Sequence, residues 1–381
     1  MARVAVIGVG ESPLRPESRD KFFKELMYEA AYRAYLDAGV DPREDVDAFI
    51  TASEDLWEGL AIFDEYVPDQ LGGVLKPVFT VGGDGLNGVI HGYMLIKTGR
   101  FDVVAVEAHS KASEVENIET VIRFALDPRY LRNIVGDINI LPALEMQSAM
   151  ESYGFGLDVV NEVVMKNHLY GSMNGGVYAE NLDELNIEGS EVIAPPLRKV
   201  DKARYVDGGY VVVLASEKYV YENGVDNPVW ILGVGWATQG GSFERSLEYP
   251  GEALAAAGEM AYAEAGITDP STEIDIAEVD DRFSYREPVS LKALDLSKGD
   301  IYEEYQRGVY EMDGSLPVNI SGGFLSNGYP LEAGGLFKLA YLVRQLRGEA
   351  GPTQIGDVST ALVSTRREIP SNSYSVLVLG V

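Results

Sequence analysis

Cysteine is absent from all 381 residues. Its absence removes disulfides, thiolate metal ligands and cysteine nucleophiles together. Histidine is almost as scarce: His91, His109 and His168 are all there is. None of them pairs with another at a metal-ligand spacing, so no metal site is expected. Basic side chains are few, with 31 Lys and Arg against 60 Asp and Glu and a formal net charge of -29. A nucleic-acid ligand needs a basic face, and this composition excludes one. No apolar run reaches membrane length without a charge or a break. The opening residues, Met1-Ala-Arg-Val-Ala-Val-Ile-Gly-Val-Gly10, lack the apolar length of a signal peptide. A soluble, cytoplasmic protein with no membrane partner is expected.

What is present is enough for a large core: 46% of the residues are hydrophobic, and the length allows two or three packed units. Two glycine clusters stand out. Thr80-Val-Gly-Gly-Asp-Gly-Leu-Asn-Gly88 follows the β-branched run Pro77–Val81, and Ile320-Ser-Gly-Gly-Phe-Leu-Ser-Asn-Gly-Tyr-Pro330 follows Leu316–Ile320. Each leads into a helical apolar pattern. A strand that stops at glycines and starts a helix presents free amide groups and the positive end of a dipole. A tight turn without chemistry explains one such cluster; two in matching places point to a site.

The matching extends along the chain. Strands are expected at Arg3–Gly8, Val46–Thr51, Pro77–Val81 and Asp102–Val106, with helices at Lys21–Ala38 and Leu86–Lys97. Glu107–Ser113 reads as a loop. From about Glu114 to Asp201 helical patterns dominate, among them Met146–Tyr153 and Val159–Tyr170. Tyr210–Ala215 is a buried strand and Glu217–Glu222 a short helix. At Val229 the opening pattern returns: Trp230-Ile-Leu-Gly-Val-Gly235 aligns with Val4–Gly10, Ala253–Ala265 with Lys21–Ala38, Glu273–Glu278 with Val46–Ile50, and Val318–Gly323 with Val78–Gly83. The closing strands are Ser359–Ser364 and Ser373–Leu379. The reading is an internally duplicated α/β unit, with βαβ crossovers, mainly parallel sheets and ligands beyond the strand carboxyl ends. The first half spans 1–113 and 202–225, a helical insertion 114–201, and the second half 226–381.

Several stretches carry a resemblance to the thiolase superfamily, in particular to sterol-carrier-protein-type thiolases and archaeal thiolase-like proteins. Gly82-Gly-Asp-Gly-Leu-Asn-Gly88 stands where the family has a Cys-Ala-Ser-Gly segment. Tyr205-Val-Asp-Gly-Gly209 resembles Ser-Asp-Gly-Ala-Ala, Glu278-Val-Asp-Asp-Arg-Phe283 resembles Glu-x-His-Asp-Cys-Phe, and Asn319-Ile-Ser-Gly-Gly323 resembles Asn-x-x-Gly-Gly. Gly328-Tyr-Pro-Leu-Glu-Ala-Gly-Gly335 resembles Gly-His-Pro-x-Gly-Ala-Thr-Gly. The resemblance implies two duplicated α/β halves in αβαβα layers with a helical insertion in the first.

The departures decide what chemistry is expected. Gly82 stands at the nucleophile, Tyr329 and Asp280 at histidines, and Arg282 at a cysteine. Acyl-enzyme chemistry needs a thiolate and a base, so thiolase turnover is not expected, although family membership would suggest an acetyl-CoA acetyltransferase. The resemblance implies instead an acyl-CoA-binding protein, with two readings. One is a lyase that splits a β-hydroxyacyl thioester by retro-aldol chemistry. In it Tyr329 and Tyr285 transfer protons, Asp280 orients one of them, and main-chain donors at Gly82 together with Asn319 hold the oxyanion. The other is a non-catalytic subunit of a thiolase-type complex, whose cleft Glu332 helps to fill. No covalent cofactor is expected. The phosphates of a coenzyme A thioester need cations, and Arg198, Lys199, Lys202 and Arg204 form the densest basic cluster; Arg123, Arg129 and Arg132 form a sparser one. The resemblance also implies a homodimer or higher oligomer and a small zinc-ribbon/OB-fold partner protein.

Overall fold

The computed structural model describes residues 3–55, 62–240, 243–367 and 373–381. Eleven strands are named in chain order: β1 (Val4–Arg15), β2 (Ala48–Ala52), β3 (Val78–Val81), β4 (Val103–Lys111), β5 (Val192–Ala194), β6 (Leu197–Arg198), β7 (Asp207–Ser216), β8 (Val229–Thr238), β9 (Ile276–Glu278), β10 (Thr360–Arg366) and β11 (Ser373–Gly380). The helices used below are α1 (Phe23–Ala38), α2 (Gly85–Lys97), α3 (Ile118–Ala125), α4 (Ile140–Tyr153), α5 (Leu157–Asn174), α6 (Glu252–Ala265) and α7 (Gly334–Arg347).

Duplication is visible in the strand order β3-β2-β4-β7-β1-β8-β11-β10-β9. Counted within each half, the two series are mirror images about the β1–β8 seam, where Val4–Val6 pair with Val229–Ile231. Among the described residues the second half has no counterpart of β3; the expected strand at Val318 is reduced to one parallel bridge with Ala277. The same helix-on-strand contact recurs in both halves. A Cβ on Gly8 or Gly10 would lie 2.5 and 2.2 Å from backbone atoms of Ala34 on α1, and one on Gly233 or Gly235 would lie 2.1 and 1.9 Å from Ala261 and Ala257 on α6. Only glycine lets these helices approach so closely.

Side-chain alternation sorts the layers. Val4, Val6, Val104, Val106, Val212 and Leu214 share a core with α2, α7 and the second-half residues Ala361, Val363, Leu377 and Leu379. Ala5, Ile7, Ala105, Val211 and Val213 face α1 instead, while Leu362, Val376 and Val378 face α6. The layers run helix, first half of the sheet, helix pair, second half of the sheet, helix.

Two expectations are corrected. The sheet is mixed rather than mainly parallel. β2 is parallel to β3 and β4, and β9 to β10, but β7 and β11 run antiparallel to both neighbours. β11 begins only a few residues after β10 ends, too few for the crossover a parallel partner requires. Glu107–Lys111 is strand rather than loop: it continues the ladder from Glu107↔Val211 to Lys111↔Asp207. Its polar side chains are buried because each has a partner. Glu107 takes the Thr51 hydroxyl at 2.7 Å and meets His109 at 3.0 Å, and Lys111 meets Asp207 at 2.7 Å.

Candidate active site

The N-terminal ends of α2 and α7 meet at one carboxylate, which accepts from an amide of each. Asp84 is the N-cap of α2. It accepts from Leu86 N at 2.9 Å, from the Thr365 hydroxyl at 2.6 Å and from Gly335 N, at the start of α7, at 2.9 Å. Two glycines permit this. A Cβ on Gly85 would sit 2.5 Å from Leu336 Cγ, and one on Gly335 would sit 2.0 Å from Asp84 Oδ1. Burial raises the Asp84 carboxyl to about 7, against the opposing pull of Thr365 and the two amides.

Asp84 borders a cleft shared with Gly83, Tyr329, Leu331, Glu332, Glu54 and Arg367. The first glycine cluster thus meets the end of the second, at Tyr329–Gly335. The Ser321–Gly323 turn itself lies elsewhere: Gly322 packs on Gly171 of α5 and Gly323 on Asp281. The cleft holds about 10 Å³, room for roughly one water. Arg367 closes one side through its ion pair with Glu54, and Glu332 accepts from Glu54 N at 3.1 Å.

Tyr329 is buried, with its ring 5.2 Å from Phe324 and 6.1 Å from Tyr205. The Arg282 guanidinium sits 4.5 Å from its ring centre and donates to the Tyr205 hydroxyl at 2.5 Å. Burial raises the Tyr329 phenol well above its ordinary value, and Arg282 works against that rise.

The other expected site residues do not join it. Tyr285 donates to Glu145 at 2.8 Å and lines a separate cavity of about 30 Å³ with Arg286 and Arg366. Asp280 accepts from Arg286 at 3.1 Å and from Arg282 N at 3.3 Å. Asn319 donates to Glu287 at 2.6 Å and accepts from Val279 N and Lys338. It belongs to a buried network in which Lys338 contacts Glu278 and Asp281 while Lys166 contacts Glu287. Gly82 is exposed; a Cβ there would meet only Arg367, at 3.8 Å.

The basic cluster is largely neutralised. Arg198 is buried on Asp201 at 2.9 Å, Lys202 meets Glu119 at 2.6 Å, and Arg204 meets Glu180 at 2.9 Å. Lys199 is exposed. Lys199, Lys202 and Arg204 border a groove of about 960 Å³ that Glu116, Glu119, Glu180, Glu184 and Glu191 also line. The sparser set is local: Arg132 donates to the Leu126 carbonyl and Arg123 to that of Arg132. Among the described residues, no group of three or more His, Asp or Glu is arranged to hold a metal, and no helix is long and apolar enough to cross a membrane.

Residues 236–380 match the thiolase C-terminal domain-like family. The whole chain is similar to an acetyl-CoA acetyltransferase of Methanothermobacter thermautotrophicus, 28% identical over 365 residues, 93% of this chain and 94% of that protein. These similarities support a place for the chain in the thiolase superfamily. It is also 32% identical over 222 residues to human sterol carrier protein 2, covering 56% of this chain and 40% of that protein. The solved "Ltp2-ChsH2(DUF35) aldolase" superposes with a TM-score of 0.82 at 24% identity, over 100% of this chain and 98% of that one. Human mitochondrial 3-ketoacyl-CoA thiolase superposes with a TM-score of 0.74 at 16% identity, over 100% of this chain and 99% of that one, which establishes a shared thiolase fold.

Sequence reasoning missed Asp84 as a site residue. Its position beside Thr365 and Gly335 joins residues more than 250 positions apart, for which the sequence carries no local signal.

Proposed function

We infer that this thiolase-fold chain binds an acyl-CoA thioester and cleaves a carbon–carbon bond of a β-hydroxyacyl thioester by a retro-aldol step, without an acyl-enzyme. The observation that carries the reading is the pairing of a cleft bordered by Tyr329 and Asp84 with a sequence that has no cysteine. In such a step a base removes the β-hydroxyl proton, the Cα–Cβ electron pair becomes an enolate, and an acid protonates the enolate carbon. Tyr329 is the acid of this reading. The Arg282 cation over its ring offsets the charge left on the phenolate. Tyr285 is a poor second partner because its hydroxyl is engaged by Glu145. The fold neighbour is an aldolase by name, in keeping with this chemistry. An acetyltransferase of the thiolase type lacks its thiol here.

Three of the four cations expected to meet the coenzyme A phosphates are engaged by acids. The reading therefore includes a second chain that supplies them, a small zinc-ribbon/OB-fold subunit; the name of the fold neighbour likewise includes a DUF35 component. A homodimer is part of the same reading. β3 ends the sheet with one side unpaired and Phe79 is 42% exposed, and an open edge of this kind invites pairing with a second copy.

A non-catalytic subunit is the second reading, and the one-water cleft behind the Glu54–Arg367 pair favours it. Incubation with β-hydroxyacyl-CoA separates the two. The lyase reading expects acyl-CoA and a ketone or aldehyde as products, with the rate reduced at least about 100-fold in Tyr329→Phe. Binding without cleavage, unchanged in Tyr329→Phe, removes it.

A further inference from the structure

Beyond the roles given to Tyr329 and Arg282, the cleft holds the carboxylate shared by the two helix ends. Asp84 borders the same cleft as Tyr329. Both of its oxygens are held, by Leu86 N, Gly335 N and the Thr365 hydroxyl, so its orientation is fixed by three donors on three separate elements. A helix cap alone needs only the bond to Leu86. The contact to Gly335 requires a glycine there, because a Cβ would fall 2.0 Å from Asp84 Oδ1. The Thr365 bond brings in β10. This degree of positioning is what a proton-transfer group needs. Of the other carboxylates on the cleft, Glu54 is tied to Arg367 and Glu332 accepts from Glu54 N, while Tyr285 is turned away to Glu145.

We propose that Asp84 is the general base of the cleft, taking the β-hydroxyl proton of a β-hydroxyacyl thioester, an assignment that rests on the lyase reading above. The Asp84 carboxylate accepts the hydroxyl proton. The Cα–Cβ bond breaks, its electron pair forming the thioester enolate while the hydroxyl oxygen becomes the carbonyl of the departing ketone or aldehyde. The Tyr329 phenol protonates the enolate carbon, and its phenolate recovers a proton from the Asp84 carboxyl, which restores both groups. Thr365 is a positioning residue that acts through Asp84. The carboxyl value near 7, set by burial, suits a base that must also release its proton at neutral pH.

The test uses the full chain, together with its partner subunit if one copurifies. Two rates are followed across pH: cleavage of β-hydroxyacyl-CoA, and deuterium uptake at the α-carbon of acetyl-CoA in D2O. Cleavage by the wild type is expected to rise through about pH 7, the upward-shifted Asp84 value. Asp84→Asn should lower cleavage at least about 100-fold and abolish the acid limb of its profile. Because Thr365 stabilises the ionised carboxylate, Thr365→Val should move that limb to higher pH, and Thr365→Ser should return it. A folded Asp84→Asn with wild-type cleavage, or a Thr365→Val limb that does not move, overturns the assignment while leaving the lyase reading intact. The Thr365 series decides the matter if Asp84→Asn fails to fold. A wild type with neither cleavage nor exchange removes the lyase reading and this assignment with it.

Discussion

Gly335→Ala isolates the meeting of the two helix ends. Gly335 lies in the first turn of α7 and is not among the positive-φ residues, so its backbone accommodates alanine. Helix propensity alone would make the change favourable by up to ~1 kcal/mol. Packing opposes it: the new Cβ would lie 2.0 Å from Asp84 Oδ1, 2.7 Å from Leu86 Cγ and 2.9 Å from Leu86 N. Two of these three atoms belong to backbone or to a fixed carboxylate, so relief requires the helices to separate. Overpacking of this kind costs about 1–3 kcal/mol, and loss of the amide bond to a buried carboxylate adds about 1.5–3 kcal/mol. The net expectation is a loss of about 1.5–5 kcal/mol, read as a fall of several degrees in the thermal midpoint. Repeating the change in an Asp84→Ser background should recover more than half of the loss, because the closest atom is then gone. A Gly335→Ala midpoint within about one degree of wild type, or equal losses in both backgrounds, would refute the convergence of α2 and α7 on Asp84.

Other consequences follow from the buried charges. Burial acts to raise the Glu145 carboxyl, but Arg366 and then Arg286 outweigh it and hold the value at about 2. A depressed carboxyl adds stability above its unfolded value, and that stability is lost as pH falls from about 4.5 towards 2, an effect on the order of 3 kcal/mol. Urea titrations of wild type and Glu145→Gln should converge as pH falls across that window. Lys338 is fully buried against Glu278, Asp281 and Asn319, and those acids keep its ammonium charged despite the burial that opposes it. Lys338→Met leaves two carboxylates without their cation and should cost about 3–5 kcal/mol, visible as a collapse of soluble yield or of the denaturation midpoint.

The repeat was readable because each half carries the same local signals in the same order. Gly8 and Gly10 recur as Gly233 and Gly235, Gly39 as Gly266, and all serve the same helix contacts or helix ends. Strand direction was not readable in this way. β7 and β11 are continuous apolar runs with no mark of orientation, and antiparallel pairing is set by which strands they settle between. The polar run Glu107–Lys111 looked like loop because its partners, Thr51 and Asp207, lie 56 and 96 positions away. At the site, the motif residues Gly82, Asp280, Tyr285, Asn319 and Tyr329 were identifiable by type, but type does not give direction. Asn319 and Asp280 turn into buried ion networks, and Tyr285 turns towards Glu145. The cations of residues 198–204 looked free because their acids, apart from Asp201, stand in distant segments.

The proposed lyase chemistry handles acyl thioesters without a covalent intermediate. Intact-mass measurement of the protein during incubation with β-hydroxyacyl-CoA, with the small products quantified in the same sample, tests it most directly. Acyl-CoA and a ketone or aldehyde should accumulate while the protein mass stays constant. A protein that gains the mass of an acyl group, or thiolysis of acetoacetyl-CoA above background, would contradict it.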